Sequence, residues 1–194
     1  MKFVKSIVLS LMVAASAVFA GGNISPVVPV VEDEPIGIYV GGGLGSTWTY
    51  ETGDFDFSSD TGSSKVDPAI GLRLGYEFAK YGNFGFAVEG RIVSSFDAND
   101  FDTTVYSAFL KPEYYIEGTE FGLYGLAGYS YTRWNVGDVD SDKSGFAFGL
   151  GAEYALTKNV SVSADWTSNV WKDDVDGADN VNNDVVMVWL NYKF

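Results

Sequence analysis

Nine charged residues are the first candidates for chemistry, because each lies at an alternate position within a mainly apolar run. They are Arg73, Glu77, Glu89, Arg91, Lys111, Glu113, Glu153, Asp165 and Lys193. Alternate residues of a β-strand face the same side, so these charges would share one face of a sheet. Because an isolated ion is very costly in a low-dielectric interior, four basic and five acidic groups there must pair. The pattern predicts an internal salt-bridge network, and an ion path gated by the same pairs is the alternative.

Catalytic and nucleotide-binding signals are weak. The chain contains no histidine, the usual general base of nucleophilic catalysis, so we expect no enzymatic activity and no cofactor. The glycine-rich stretch GGGLG at 41–45 lies inside an alternating run. A phosphate-binding loop should instead follow a strand and open a helix.

The segment DVDSDKSG places Asp138, Asp140 and Asp142 at the alternate spacing of a calcium loop. A full calcium loop requires Gly at the sixth position and Glu at the twelfth. Lys143 and Gly149 stand at those positions. Because the match is partial, the pattern favours a solvated acidic loop, and loose calcium association of the three aspartates is the alternative.

Eight runs of two-fold alternation follow one another along the chain and position the charged residues. They cover residues 36–50, 66–79, 84–96, 103–116, 121–134, 145–157, 160–171 and 185–194. Each exceeds the usual length of a strand in a soluble domain and is long enough for a tilted strand to cross a bilayer. The fifth run is ambiguous, because Tyr124 and Leu126 are out of phase with Ala127, Tyr129 and Tyr131. A bulge there is one explanation.

The connections between the runs alternate in length. Short turns at 80–83, 117–120 and 158–159 alternate with long acidic segments at 51–67, 97–102, 136–144 and 173–184. Short turns at one end and long loops at the other are typical of an up-and-down outer-membrane barrel. We therefore predict an all-β fold: an eight-stranded antiparallel up-and-down transmembrane β-barrel.

The two strand faces separate this prediction from a soluble β-sandwich. Large apolar side chains occupy one face, and Gly, Ala and Ser dominate the other, as a narrow interior requires. Aromatic residues gather near both ends of the apolar face, as in a membrane girdle. The predicted girdle residues are Trp48, Tyr50, Tyr76, Phe78, Phe84, Tyr106, Tyr114, Phe146, Tyr154 and Trp166.

The ends and the charge of the chain indicate export. Residues 1–20 combine a basic start with a short apolar run and small residues, which predicts a signal peptide. Residues 21–35 read as a flexible leader and 36–194 as the barrel. The whole chain has 12 basic and 26 acidic residues and a net charge of −14, so removing Lys2 and Lys5 would leave −16. Such acidity argues against binding to nucleic acid.

The strand pattern resembles the small eight-stranded outer-membrane barrels of Gram-negative bacteria, the family of the OmpA membrane domain, OmpX and the opacity proteins. The resemblance covers residues 36–194 and rests on the Gly-aromatic stretches IYVGGGLG, GLRLGYEF, LYGLAGYSY and FAFGLGAEY and on the final VMVWLNYKF. It implies that Tyr192 and Phe194 form the signal read by the barrel-assembly machinery. It also implies a periplasmic leader and turns, with extracellular loops.

Together these observations predict a monomeric outer-membrane protein with a structural and surface-interaction role resembling that of an adhesin. Its expected partners are membrane lipid, lipopolysaccharide, the assembly machinery and a surface or host ligand bound by the loops. Because lipopolysaccharide is anionic, acidic loops would approach it through divalent cations. A narrow channel for ions or small solutes is the alternative function.

Overall fold

The structure, a computed structural model, describes residues 37–52, 65–96, 101–136, 139–171 and 180–194. Within these ranges the chain forms eight strands. They are β1 (Ile38–Thr52), β2 (Lys65–Tyr81), β3 (Phe84–Ser95), β4 (Phe101–Tyr115), β5 (Phe121–Val136), β6 (Val139–Ala155), β7 (Val160–Trp171) and β8 (Asn180–Lys193). The described ranges contain no helix long and apolar enough to cross a membrane.

The strands form a closed barrel in which each pairs antiparallel with its sequence neighbours and β8 pairs with β1. Following paired residues once around the barrel from Tyr39 returns to Thr49, ten positions further along β1. Eight strands with this stagger are steeply tilted, at roughly 40°, and enclose an interior just wide enough for side chains. The predicted fold class is confirmed.

Along most of each strand, side chains alternate between the two faces of the wall. On β3 the buried positions Ala87, Glu89 and Arg91 point inward, and Val88 and Ile92 point outward. The large apolar residues thus face outward, in the reverse of a soluble fold. This is the arrangement that a lipid solvent favours, because apolar side chains face the hydrocarbon and the closed sheet leaves no unpaired edge in it.

The ambiguous fifth run is a regular strand without a bulge. The register of β5 with β6 is continuous, and Tyr124 and Leu126 are 4% and 3% exposed whereas Tyr129 is 58% exposed. Tyr124 and Leu126 therefore point into the lumen. The large residues of this run were out of phase in the sequence because Tyr124 and Leu126 face the lumen whereas Tyr129 faces outward.

Two irregularities interrupt the ladders. The register of β2 with β3 shifts between Glu77 and Ala79, which marks a bulge near the short-turn end of β2. The ladder between β4 and β5 omits Lys111 and Pro112 on one side and Gly125 and Leu126 on the other. Pro112 has no N–H to donate to a ladder, which accounts for the gap.

The strands extend further into the long acidic segments than the sequence predicts. Strands β5 and β6 run to Val136 and from Val139, and these two residues pair, so most of the predicted segment 136–144 is a hairpin. Likewise β4 starts at Phe101 and β8 at Asn180. Antiparallel pairing continues here because each strand has a partner across the hairpin, which outweighs the low β-propensity of Asp and Asn. At the opposite end, the tight turns contain Gly82 and Gly118 at positive φ (58° and 75°), a backbone conformation that favours glycine.

Candidate functional site in the barrel lumen

All nine charged residues singled out from the sequence face the lumen, and each lies in an ion pair. The pairs are Arg73–Glu89, Arg73–Asp165, Arg91–Glu89, Arg91–Asp165, Lys111–Glu113, Lys111–Glu153 and Lys193–Glu77. The pairs fall into two groups. The central cluster consists of Arg73, Glu89, Arg91 and Asp165. The mouth pairs, near the short turns, are Lys111–Glu113, Lys111–Glu153 and Lys193–Glu77. The nine charged residues come from six of the eight strands, so the ion pairs link much of the barrel wall.

Asp165 on β7 is the hub of the central cluster. Arg91 donates to both of its oxygens, from Nη1 to Oδ1 at 3.0 Å and from Nη2 to Oδ2 at 2.8 Å. Tyr124 Oη and Trp189 Nε1 also donate to Oδ2, at 2.8 and 3.1 Å. Arg73 Nη1 lies 3.6 Å from the same oxygen. A bidentate arginine with additional donors is the geometry in which a buried carboxylate is well compensated.

Arg73 and Glu89 complete the central cluster. The Nε and Nη2 groups of Arg73 donate to Asn191 Oδ1 at 2.8 Å and Ser163 Oγ at 2.6 Å. Glu89 accepts a hydrogen bond from Tyr39 Oη at 2.6 Å and another from Arg91 Nε. The side chains of Arg73, Glu89 and Asp165 are fully inaccessible to solvent. The cluster is therefore a desolvated, mutually hydrogen-bonded group.

Aromatic rings cover the cations of the lumen. The Trp189 ring lies 4.9 Å from the Arg73 guanidinium carbon and 5.2 Å from that of Arg91. Lys111 Nζ lies 4.2 Å from the Tyr124 ring and 5.0 Å from the Tyr39 ring. Such cation–π contacts are strongest when desolvated, and the rings also occupy the space that water would need. The sequence did not identify Tyr39, Tyr124 and Trp189 as lumen residues, although Tyr124 stood out as out of phase with its strand. Their position opposite the large apolar residues of their own strands was the available signal.

The mouth pairs lie toward the short turns. Lys111 Nζ is 2.6 Å from Glu113 Oε1 and 3.4 Å from Glu153 Oε2, and Lys193 Nζ is 2.5 Å from Glu77 Oε2. The Glu153 side chain is 31% exposed and that of Lys193 21% exposed. The Lys111–Glu153 and Lys193–Glu77 pairs are therefore partly hydrated and contribute less than the central pairs do, whereas the Lys111–Glu113 pair is buried, with side chains 1% and 10% exposed.

Glycines opposite the inward aromatic rings provide the space for them. A Cβ placed at Gly75 would collide with the Tyr39 ring, and one at Gly151 would collide with the Tyr124 ring. Gly43 and Gly71 lie against Trp189 in the same way. The Gly-aromatic pattern of the sequence therefore corresponds to rings lying flat on the inner wall.

Above the central cluster, toward the long-loop end, lies a layer of uncharged inward side chains. Along β8 the inward residues run Asn183, Val185, Met187, Trp189, Asn191. An order of polar, apolar and then charged inward residues also occurs on β2, with Asp67, Ala69 and Arg73, and on β3, with Ser95, Val93 and Arg91. The apolar layer consists of Ala69, Val93, Val105, Val185 and Met187, each at most 4% exposed. The apolar layer lines β2, β3, β4 and β8, and its register neighbours on β5 and β7 are the inward threonines Thr132 and Thr167.

Three further inward charges were missed by sequence reasoning, which had assigned them to loops and a turn. Asp67 pairs in register with Thr47 and Lys143 with Thr132, and both threonines are buried in the lumen. The β2 bulge turns Lys80 inward, with its Nζ 4.8 Å from the Tyr115 ring. With these three, the described lumen side chains carry six charges of each sign.

The predicted girdle residues lie on the outward face wherever their side chains are described. Phe84 and Tyr114 pack together with centroids 5.1 Å apart near the short-turn end, and Phe121 packs with Tyr154 at 4.7 Å. The remaining described members are Trp48, Tyr76, Phe78, Tyr106, Phe146 and Trp166. The Tyr50 side chain lies outside the described part. Trp166 lies midway along β7 rather than at its long-loop end.

The two residues of the predicted assembly signal are adjacent on the outward face of the last strand. The Tyr192 and Phe194 rings pack edge-to-face with centroids 5.0 Å apart and are 46% and 66% exposed. Val40 of β1 pairs with Tyr192, so this signal lies at the seam that closes the barrel.

The three predicted calcium ligands fall partly outside the described residues. Asp138 is not described, and Asp140 and Asp142 lie within β6 rather than in a loop. Among the described residues, no three acidic, histidine or cysteine side chains form a group suited to a metal. Loose calcium association of the three aspartates stays a prediction.

A closed eight-stranded barrel with an apolar outer face and a charged, packed lumen defines a β-barrel membrane protein. The family model described as "Outer membrane protein beta-barrel domain" matches residues 6–194. The chain belongs to this outer-membrane barrel family, which confirms the resemblance drawn from its strands. A search of curated proteins finds no match.

Solved structures with the same fold are small outer-membrane barrels. Ail, the attachment invasion locus protein of Yersinia pestis, is 20% identical with a TM-score of 0.58, over 82% of this chain and 100% of Ail. Neisserial surface protein A is 21% identical with a TM-score of 0.56, over 81% of this chain and 97% of that protein. Ail has also been solved in complex with the heparin analogue sucrose octasulfate. At these identities the likeness concerns the fold.

Proposed function

We propose that this protein is a closed, non-conducting outer-membrane scaffold that acts through the long segments joining its strands. The observation that carries the proposal is the central cluster, in which Asp165 receives four donor groups inside a desolvated lumen. A conducting pore needs polar groups that water and ions can reach. Here the charges are neutralised by one another and covered by rings, and apolar side chains line part of the wall above them.

The proposal assigns no catalysis to the lumen. Its carboxylates are committed to arginine and lysine partners, and the chain has no histidine to activate a nucleophile. The remaining chemistry is recognition at the surface. Function on barrel scaffolds generally lies in the loops that a rigid wall positions.

The charge of the long segments specifies the kind of partner. Of the 26 acidic residues, 16 fall in the sequence segments 51–67, 97–102, 136–144 and 173–184, together with only two basic residues. We infer that these segments recognise a cationic surface, or an anionic one bridged by divalent cations such as lipopolysaccharide. The acidity distinguishes this chain from a direct binder of sulfated polyanions, the ligand class present in the Ail complex.

We also infer how the barrel is oriented in the outer membrane and how it is assembled there. The long segments face the cell exterior, and the short turns and the leader face the periplasm. The exposed Tyr192–Phe194 pair at the closing seam is suited to reading by the barrel-assembly machinery before β8 pairs with β1. We expect a monomer, because closure leaves the described sheet without a free edge to which a second copy could add a strand.

Adherence of cells displaying the protein tests the role. One variant replaces Asp54, Asp56, Asp60, Asp97 and Asp100 in the long segments with Asn. A matched control replaces Glu117 and Glu120, in the short turn at the opposite end, with Gln. We expect the wild type and the control to promote adherence to cultured cells and the loop variant to lose it. Equal adherence of all three, at equal surface levels, would refute a loop-mediated role.

A further inference from the structure

The outward face carries a groove that neither the lumen nor the loops explain. It has a volume of about 570 Å³ and lies across β1 to β5. Its floor is formed by the small residues Gly90, Ala108 and Ala127, and its walls include Leu74, Val88 and Leu110.

The groove follows from the register of the strands. Gly90 pairs with Leu74 on one side and with Ala108 on the other, so two adjacent strands both lack a large outward side chain at this level. Ala127 pairs with Leu110 one row further toward the short turns. The wall residues around them are 47–57% exposed. The depression is therefore an open, apolar slot rather than an internal void.

The position of the groove identifies its occupant. The slot lies on the membrane-facing surface, and its lower wall includes Tyr76, a girdle residue of the short-turn end. Its outward side chains are all uncharged, and the carboxylate of Glu89 points into the lumen. Such a lining contacts hydrocarbon and offers no partner to a headgroup.

We propose that this groove binds one acyl chain of a phospholipid from the leaflet on the short-turn side. In a bilayer, retention cannot come from the hydrophobic effect, because the surrounding tails are equally apolar. It comes from van der Waals contact, and small residues permit the close approach that maximises it. The walls hold the chain along the slot, so this lipid exchanges more slowly than its neighbours.

Gly90→Leu tests the proposal by filling the floor, and Gly42→Leu is the matched control. Both glycines face outward, and a Cβ meets only Leu74 O at 3.9 Å at Gly90 and nothing within 4 Å at Gly42. Each protein is purified in a mild detergent with added palmitoyl phosphatidylethanolamine, and bound lipid is counted by native mass spectrometry. Heat-modifiable gel mobility verifies that each barrel is folded.

We expect one retained lipid on the wild type and on Gly42→Leu, and about tenfold weaker retention on Gly90→Leu, because the new side chain displaces several methylene contacts. Equal retention by both variants would overturn the proposal. An equal loss from both would show general annular lipid instead. A wild-type dimer that Gly90→Leu abolishes would show that a second copy occupies the groove, which also contradicts the proposal.

Discussion

At the residue scale, Asp165 and Glu89 together compensate two buried arginines, and Asp165 accepts more hydrogen bonds than Glu89 does. Asp165 accepts hydrogen bonds from both terminal nitrogens of Arg91 and lies within ion-pair distance of Arg73. Inward charges were predictable from alternation, but their pairing was not, because Arg91 and Asp165 are 74 positions apart in the chain. The stagger of the closed barrel brings them together, and stagger has no local signal in a sequence.

Replacing Asp165 with Asn should therefore be costly. We expect a loss of about 3–5 kcal/mol in the free energy of unfolding, because the change leaves buried positive charge uncompensated. Equilibrium unfolding in urea from lipid vesicles, followed by gel mobility, measures it. Glu153→Gln is the control. Its side chain is 31% exposed, and its loss should cost less than about 1 kcal/mol. Similar losses for both would contradict a dominant central cluster.

The contact between Gly75 and Tyr39 gives a second prediction at this scale. Gly75→Val places a side chain where the Tyr39 ring lies, and we expect a loss of about 1–3 kcal/mol from overpacking. Combining it with Tyr39→Ala should recover part of that loss, as a double-mutant cycle in vesicles would show. Additive effects of the two changes would mean that the ring and the glycine do not share the space.

At the scale of elements, alternation was sufficient to find all eight strands but not their ends. The hairpin of β5 and β6 continues through Asp140 and Asp142, residues that favour loops locally. Pairing with the neighbouring strand determines where a strand ends, and the sequence of one strand alone does not reveal that pairing. In the same way the β2 bulge, which turns Lys80 into the lumen, depends on the register against β3.

The ladder gap at Pro112 provides a test at this scale. Pro112→Val supplies an N–H where the β4–β5 ladder is interrupted, and we expect stability to rise by about 1 kcal/mol. Pro68→Val is the comparison, because the β1–β2 register continues through Pro68 without a gap. The midpoint of urea unfolding reports both. A midpoint that falls for Pro112→Val, or rises equally for both, would show that the missing N–H is not what weakens this seam.

At the scale of the whole molecule, the lumen is organised in layers along the barrel axis. The mouth pairs, the central cluster and the apolar layer follow one another from the short-turn end. The sequence predicted a charged interior but not the apolar layer, because Ala69, Val93 and Val185 resemble ordinary strand residues until their face is known. The lumen thus combines mutually neutralised charges with an apolar layer on part of its wall.

Single-channel recording of the refolded protein in a planar bilayer tests the central claim most directly, with folding verified by heat-modifiable gel mobility. The layered lumen predicts no unitary current steps from a verified barrel across the usual range of voltages. Reproducible steps of one size, altered by Arg73→Met, would contradict the closed scaffold and make the lumen charges the elements of an ion path.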